Sequence, residues 1–162
     1  MNFRRHPERA ADAAKGGQDE VASLEAVEQL TDPPLLADVA RNARFPFVKL
    51  AAVEKLTDPV LLAEIAQTHR NTYIRRVTIE QKLDAPIHQS LLADLARNDR
   101  ASIVRLAAVE KLTVHGLLEE LARTSEDPHV RELAARKLAE QPITRASRPA
   151  RRVGIPVRAP GG

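Results

Sequence analysis

Apolar positions along the chain fall into two alternating phrases. One reads Leu-Leu-x-x-(Val/Ile/Leu)-Ala and occurs at Leu35–Ala40, Leu61–Ala66, Leu91–Ala96 and Leu117–Ala122. Its apolar residues stand at i, i+1, i+4 and i+5, which is one stripe of a helix with 3.6 residues per turn. The other is Lys49-Leu50-Ala51-Ala52-Val53-Glu54-Lys55-Leu56, repeated as Arg105–Leu112 and more faintly at Arg75–Lys82 and Arg131–Leu138. This second phrase is apolar on more than one side, so its helix has to be covered from several directions. The leading Leu-Leu pairs are spaced by 26, 30 and 26 residues, and so are Val48, Ile74, Val104 and Val130. Two phrases in lockstep predict stacked helix pairs, because a single pair cannot bury both patterns.

The predicted fold is all-α: an α-solenoid of about four to five short antiparallel helix pairs. A helix of the second type is expected at 21–30. Pairs follow at 33–43/46–56, 59–69/72–83, 88–98/102–112 and 115–125/128–139. Thr31-Asp32-Pro33 and Thr57-Asp58-Pro59 read as helix starts, with an oxygen that accepts from free amides and a proline where no donor is needed. Asp84-Ala85-Pro86 reads as a third start, while Thr113-Val114-His115-Gly116 has lost the proline. Ala52, Ala108 and Ala134, with Thr78 as the exception, share one position where small side chains let helices approach closely. One residue is added near Gln81 and about three more around Ala85–Ser90, which predicts an irregular joint there. The expected organisation is an N-terminal tail, 1–17, with a short weak helix near 7–15, a repeat domain at 18–141, and a tail at 142–162. That last segment holds Pro142, Pro149, Pro156 and Pro160 among scattered arginines, a composition expected to stay disordered.

Composition narrows the chemistry. The chain has 162 residues, no cysteine and no run of ~18 apolar residues. Disulfides, thiolate catalysis and cysteine-held metals are therefore excluded, no membrane span is expected, and a reducing cytoplasm fits. No apolar stretch follows Arg4-Arg5, so no secretory signal is expected. The formal net charge of +3 divides unevenly: +2 in 1–17, −4 in 18–141 and +5 in 142–162. The part expected to fold is thus mildly acidic, the reverse of what binding nucleic acid by bulk charge requires.

Asp127-Pro128-His129-Val130-Arg131 resembles the opening of the second helix in HEAT-like repeats, and Val-Lys/Arg recurs at Val48-Lys49, Ile74-Arg75 and Val104-Arg105. The short units with Ala-Ala-Val-Glu-Lys-Leu are also similar to the bacterial leucine-rich repeat variants. The resemblance covers about 20–140. It implies an α-solenoid that binds a partner along one face, and it implies little about which partner.

Stacking turns equivalent positions into rows. One row is Lys49, Arg75, Arg105 and Arg131; the row before it is Phe47, Tyr73, Ile103 and His129; a third, in the turn, is Arg44, Arg70, Arg100 and Glu126. Cations, ring faces and helix N-terminal amides along one edge suit an acidic or phosphorylated ligand. The competing reading is structural: the cations bond turn carbonyls or acids, and the rings fill gaps between repeats. Glu54, Glu80 and Glu110, interrupted by Arg136, read with Lys55, Lys111 and Lys137 as a solvated face. Asp38–Arg41, Asp94–Arg97 and Glu120–Arg123 read as i,i+3 ion pairs within first helices.

No catalytic constellation stands out. The five histidines lack metal-ligand spacing, and the glycine pairs lie outside any phosphate-loop context. The expected function is non-catalytic protein binding, with no cofactor and no metal. Phe47, Lys49, Tyr73, Arg75, Ile103, Arg105 and Arg131 are the expected contact residues, and the expected partner is a protein of acidic character. The alternative is a nucleic-acid-associated module that uses the same cations together with Arg145, Arg148, Arg151, Arg152 and Arg158 of the tail.

Overall fold

A computed structural model describes residues 6–84 and 86–141. Among them the chain is all-α, with ten α-helices and no strand. They are α1 Pro7–Gly16, α2 Glu20–Glu28, α3 Pro33–Asn42, α4 Pro46–Lys55, α5 Pro59–Thr68, α6 Thr72–Lys82, α7 Gln89–Asn98, α8 Ser102–Lys111, α9 His115–Thr124 and α10 Pro128–Glu140. Each odd-numbered helix packs on the even-numbered helix that follows it. The even-numbered helices also pack on one another in order, so they form one layer of the array. The disorder expected for 142–162 lies outside the described residues.

Local chemistry explains the starts. Asp19, Asp32, Asp58, Asn71 and Asp127 each accept a hydrogen bond from an amide in the first turn of the helix they precede. Proline opens α1, α3, α4, α5 and α10, where its missing N–H costs nothing. The third expected start differs. Pro86–His88 is a short 3₁₀ helix, α7 begins at Gln89, and Asp84 pairs with Lys111 rather than capping. The inserted residues form this 3₁₀ turn, and α5 scarcely touches α7 across it. The unprolined start of α9 is held from outside: Gln89 Oε1 accepts from the Thr113 amide at 2.8 Å.

One seam of buried side chains runs through all five pairs. Leu30, Leu56, Leu83 and Leu112, just past the ends of α2, α4, α6 and α8, are fully buried in it, and Leu138 is partly buried. Residues 7–16 belong to this array rather than to a tail. Helix α1 packs on α2 and α3, and it buries Ala10, Ala11 and Ala14. The turn after it is tight: a Cβ on Gly17 would lie 2.2 Å from Ser23 Oγ and 2.8 Å from the Ala13 carbonyl, so only glycine fits without a shift.

The first-helix ion pairs link repeats instead of remaining within one helix. Lys15 reaches Asp38 at 2.6 Å, Arg41 reaches Glu64 at 2.7 Å and Arg97 reaches Glu120 at 2.9 Å. Only Arg97 keeps its expected i,i+3 partner as well, Asp94 at 3.2 Å. Stacking sets equivalent turns side by side, so the acid of the next repeat is as near as the acid one turn back. Helix α5 carries Gln67 at the corresponding position, and this link is missing where α5 meets α7.

Candidate interaction surface

The expected contact residues divide into two groups with different fates. Phe47, Tyr73 and Ile103 are exposed, at 65%, 52% and 48%. They stand one residue before buried Val48, Ile74 and Val104, so the helix turns them outward while their neighbours enter the seam. Val21 occupies the same position in α2 and is 66% exposed; the 26-residue offset from Phe47 was the signal for it.

The cations turn inward. Arg75 is 1% exposed. Its Nε and Nη2 donate to Asp99 Oδ2 and Oδ1, both at 2.9 Å, and its Nη1 donates to the His69 carbonyl at 2.8 Å. Arg105 repeats the pattern. It pairs with Asp127 at 2.5 Å and donates to the Asp99 carbonyl at 2.7 Å. Arg131 donates to the Ser125 carbonyl at 2.7 Å, and Lys49 to the Arg41 carbonyl at 2.9 Å. Each cation therefore satisfies a carbonyl at the end of the first helix of its own pair, where the helix dipole favours positive charge. Arg75 and Arg105 also clamp an acid of the next repeat. Burial and internal pairing take Arg75 out of any contact surface, and they leave Arg105 little freedom to meet a ligand. Ala101 stands where Asp127 stands in the last repeat, and Asp99, two residues earlier, supplies the pairing acid instead and accepts from Ala101 N at 2.8 Å.

The terminal lysines of the second helices are half-buried as well. Lys55 donates to the Glu28 carbonyl at 2.7 Å, Lys82 donates to that of Glu54, and Lys137 to that of Glu110. They stitch the end of one second helix to the end of the one before. The solvated face assigned to them is thus left to the glutamates.

What remains outward on the even-numbered layer follows the i, i+3, i+4, i+7 rule. In α4 these positions are Phe47, Leu50, Ala51 and Glu54; in α6, Tyr73, Arg76 and Glu80; in α8, Ile103, Leu106 and Glu110; Val77 and Ala107, at the i+4 positions of α6 and α8, are buried. Between α6, α8 and α10 they line a groove of about 410 Å³ that includes Glu80, Ile103, Leu106, Glu110 and Leu133. Glu25, Glu54 and Glu132 make no ion pair among the described residues, whereas Glu80 meets Arg76 at 3.3 Å and Glu110 meets Arg136 at 3.5 Å. The face is apolar at its centre and acidic along one side. Arg76 lies 5.6 Å over the Tyr73 ring.

His69 is built into a repeat-to-repeat contact. It is 6% exposed. Asn71 N–H donates to its Nδ1 at 3.0 Å, which leaves the proton on Nε2, 3.2 Å from the Ala40 carbonyl. Burial first, and then the charges of Lys49 and Arg75, hold its pKa below the usual histidine value of 6.5, against the pull of two carbonyls. The neutral ring's contribution is fully present above about pH 6.5 and is lost as the pH falls through its lowered pKa, because the unfolded chain binds the proton first. Urea midpoints are expected to fall between pH 7 and pH 5.5 in the parent protein. His69→Gln should flatten that slope; an unchanged slope would place the sensitivity elsewhere.

No protein-family model, curated protein or solved structure matches the chain. Among the described residues no helix is long and apolar enough to cross a membrane.

Proposed function

We propose that this chain is a non-catalytic, HEAT-like protein-binding array whose docking surface is the outward face of α2, α4, α6 and α8. The observation that carries the reading is the row Val21, Phe47, Tyr73 and Ile103: four large apolar side chains at one equivalent position, each about half exposed or more. Aligned exposed apolar side chains on rigid helices are what a partner surface needs, and singly scattered ones are not. The flanking glutamates change the expected partner from acidic to basic, since Glu25, Glu54 and Glu132 are exposed and make no ion pair among the described residues. Binding to phosphate backbones through the Lys/Arg row has less support, because Arg75 and Arg105 are already neutralised by Asp99 and Asp127.

The test is affinity capture from the native host with the parent protein and with the triple variant Phe47→Ala, Tyr73→Ala, Ile103→Ala. These side chains are outside the seam, so helicity and thermal midpoint should remain near the parent's. Captured partners should drop about tenfold or more, the loss expected when interface aromatic anchors are truncated. Equal capture by the two proteins would reject this face.

A further inference from the structure

The Asp–Arg ladder has a gap, and the gap forms a pocket. Arg75 faces Asp99 and Arg105 faces Asp127, but Lys49, the equivalent cation of α4, has no carboxylate within ion-pair distance among the described residues. Two positions supply the acid elsewhere in the array. Asp99 corresponds to His69 and Asp127 to Asn71, so both candidate acids are absent from the repeat that follows Lys49. The space is lined by Arg41, Lys49, His69, Arg70 and Asn71 with no acid, and its volume is about 460 Å³.

The donors around it are underused. Lys49 Nζ has a single neutral acceptor, the Arg41 carbonyl. Arg41 Nε is buried without a partner, although the other end of its guanidinium meets Glu64. Arg70 is exposed and forms no ion pair among the described residues. Two acids of the adjoining first helices are occupied elsewhere: Glu64 by Arg41, and Asp38 by Lys15 and Asn42. Of the four equivalent cations, Arg75 and Arg105 meet an acid of the following repeat; Arg131 stands in the last described pair, with no repeat described after it, so half-buried Lys49 is the one cation with a following repeat but no acid from it.

We propose that this pocket is an anion site, in which a small oxyanion of phosphate or carboxylate type takes the place that Asp127 and Asp99 fill in the later repeats. Lys49 and Arg70 supply charge-assisted hydrogen bonds to it from two sides of the turn. The site lies at the turns between paired helices, apart from the apolar row of the docking face, and does not depend on that row binding anything.

The experiment is a titration of the full chain with inorganic phosphate and, separately, with acetate, followed by nuclear magnetic resonance of the His69 ring and of the amides at 69–73. Both anions should give saturable shifts at the same resonances, phosphate at the lower concentration because it carries more charge. Asn71→Asp supplies the missing acid from within the chain. It should weaken phosphate binding about tenfold and raise the thermal midpoint in phosphate-free buffer. Arg70→Gln, at an exposed position, should also weaken binding without affecting the fold. Phosphate should raise the midpoint of the parent protein more than that of Asn71→Asp, since a ligand stabilises only the state that binds it. Shifts that fail to saturate, or an Asn71→Asp protein that binds phosphate as well as the parent, would overturn the site. Saturation by acetate alone would reject phosphate and retain the carboxylate.

Discussion

Asp99→Ala is expected to destabilise the protein by about 3–5 kcal/mol, the loss seen when one member of a buried ion pair is removed. The reason is Arg75. Its side chain and that of Asp99 are only 2% and 5% exposed, and two parallel hydrogen bonds join them. Without the carboxylate the guanidinium stays buried, with only the carbonyls of His69 and Arg70 as acceptors. The substitution also removes the acceptor of Ala101 N in the turn before α8. The pair spans the irregular joint, where α5 scarcely touches α7, so polar ties between the α5/α6 and α7/α8 pairs are few. Urea denaturation should therefore show a broader transition as well as a lower midpoint, as repeat arrays do when one interface weakens. Replacing both partners by apolar residues, Arg75→Met with Asp99→Leu, should recover most of the loss. An Asp99→Ala midpoint within error of the parent's would mean that the pair is solvated and dispensable. Asp127→Ala should cost less, because Arg105 and Asp127 keep side-chain exposures of 20% and 10%. Arg105 holds the Asp127 carboxyl down at a pKa of about 2, so this tie survives mild acid and is lost only as the pH falls from the usual carboxylate range toward that value.

Leu112→Ala is expected to cost about 2–5 kcal/mol, from lost apolar burial plus the cavity left behind. Leu112 is fully buried, and its backbone amide is tied to the Ala108 and Val109 carbonyls, so the site has little freedom to collapse. Leu138→Ala, at the corresponding position of α10, should cost about 1–2 kcal/mol, because that side chain is only partly covered. Guanidinium melts of the two variants would check the ordering. Equal losses would show that the leucine row is not a graded seam.

Much of this architecture was legible because leucine stripes and Asp-Pro starts are local signals. Asp32-Pro33 and Asp58-Pro59 set helix starts by hydrogen bonds that span three residues or fewer. Helix α1 was harder to read as a full member of the array, since its buried stripe is Ala10, Ala11 and Ala14 rather than leucine. Its place could still be read from Lys15, which sits 26 residues before Arg41 and performs the same inter-repeat pairing. The fate of the cation row was not legible. Spacing puts Arg75 and Arg105 in one column, but whether a long side chain meets solvent or an acid depends on the neighbouring turn. There the chain changes register, with Asp99 acting from two residues before the place where Asp127 acts. The apolar row Phe47, Tyr73 and Ile103 was readable, because the residue beside a buried valine or isoleucine on a helix has to point elsewhere.

The ties described above are all short in sequence. Among the described residues the longest hydrogen bond, from Arg100 to the Arg70 carbonyl, joins residues 30 apart. Among the described residues, nothing near the amino end waits for anything near the carboxyl end. A chain wired this way can settle pair by pair while the ribosome is still extending it, each new hairpin docking on a finished predecessor, and its folding speed should depend little on how many units follow.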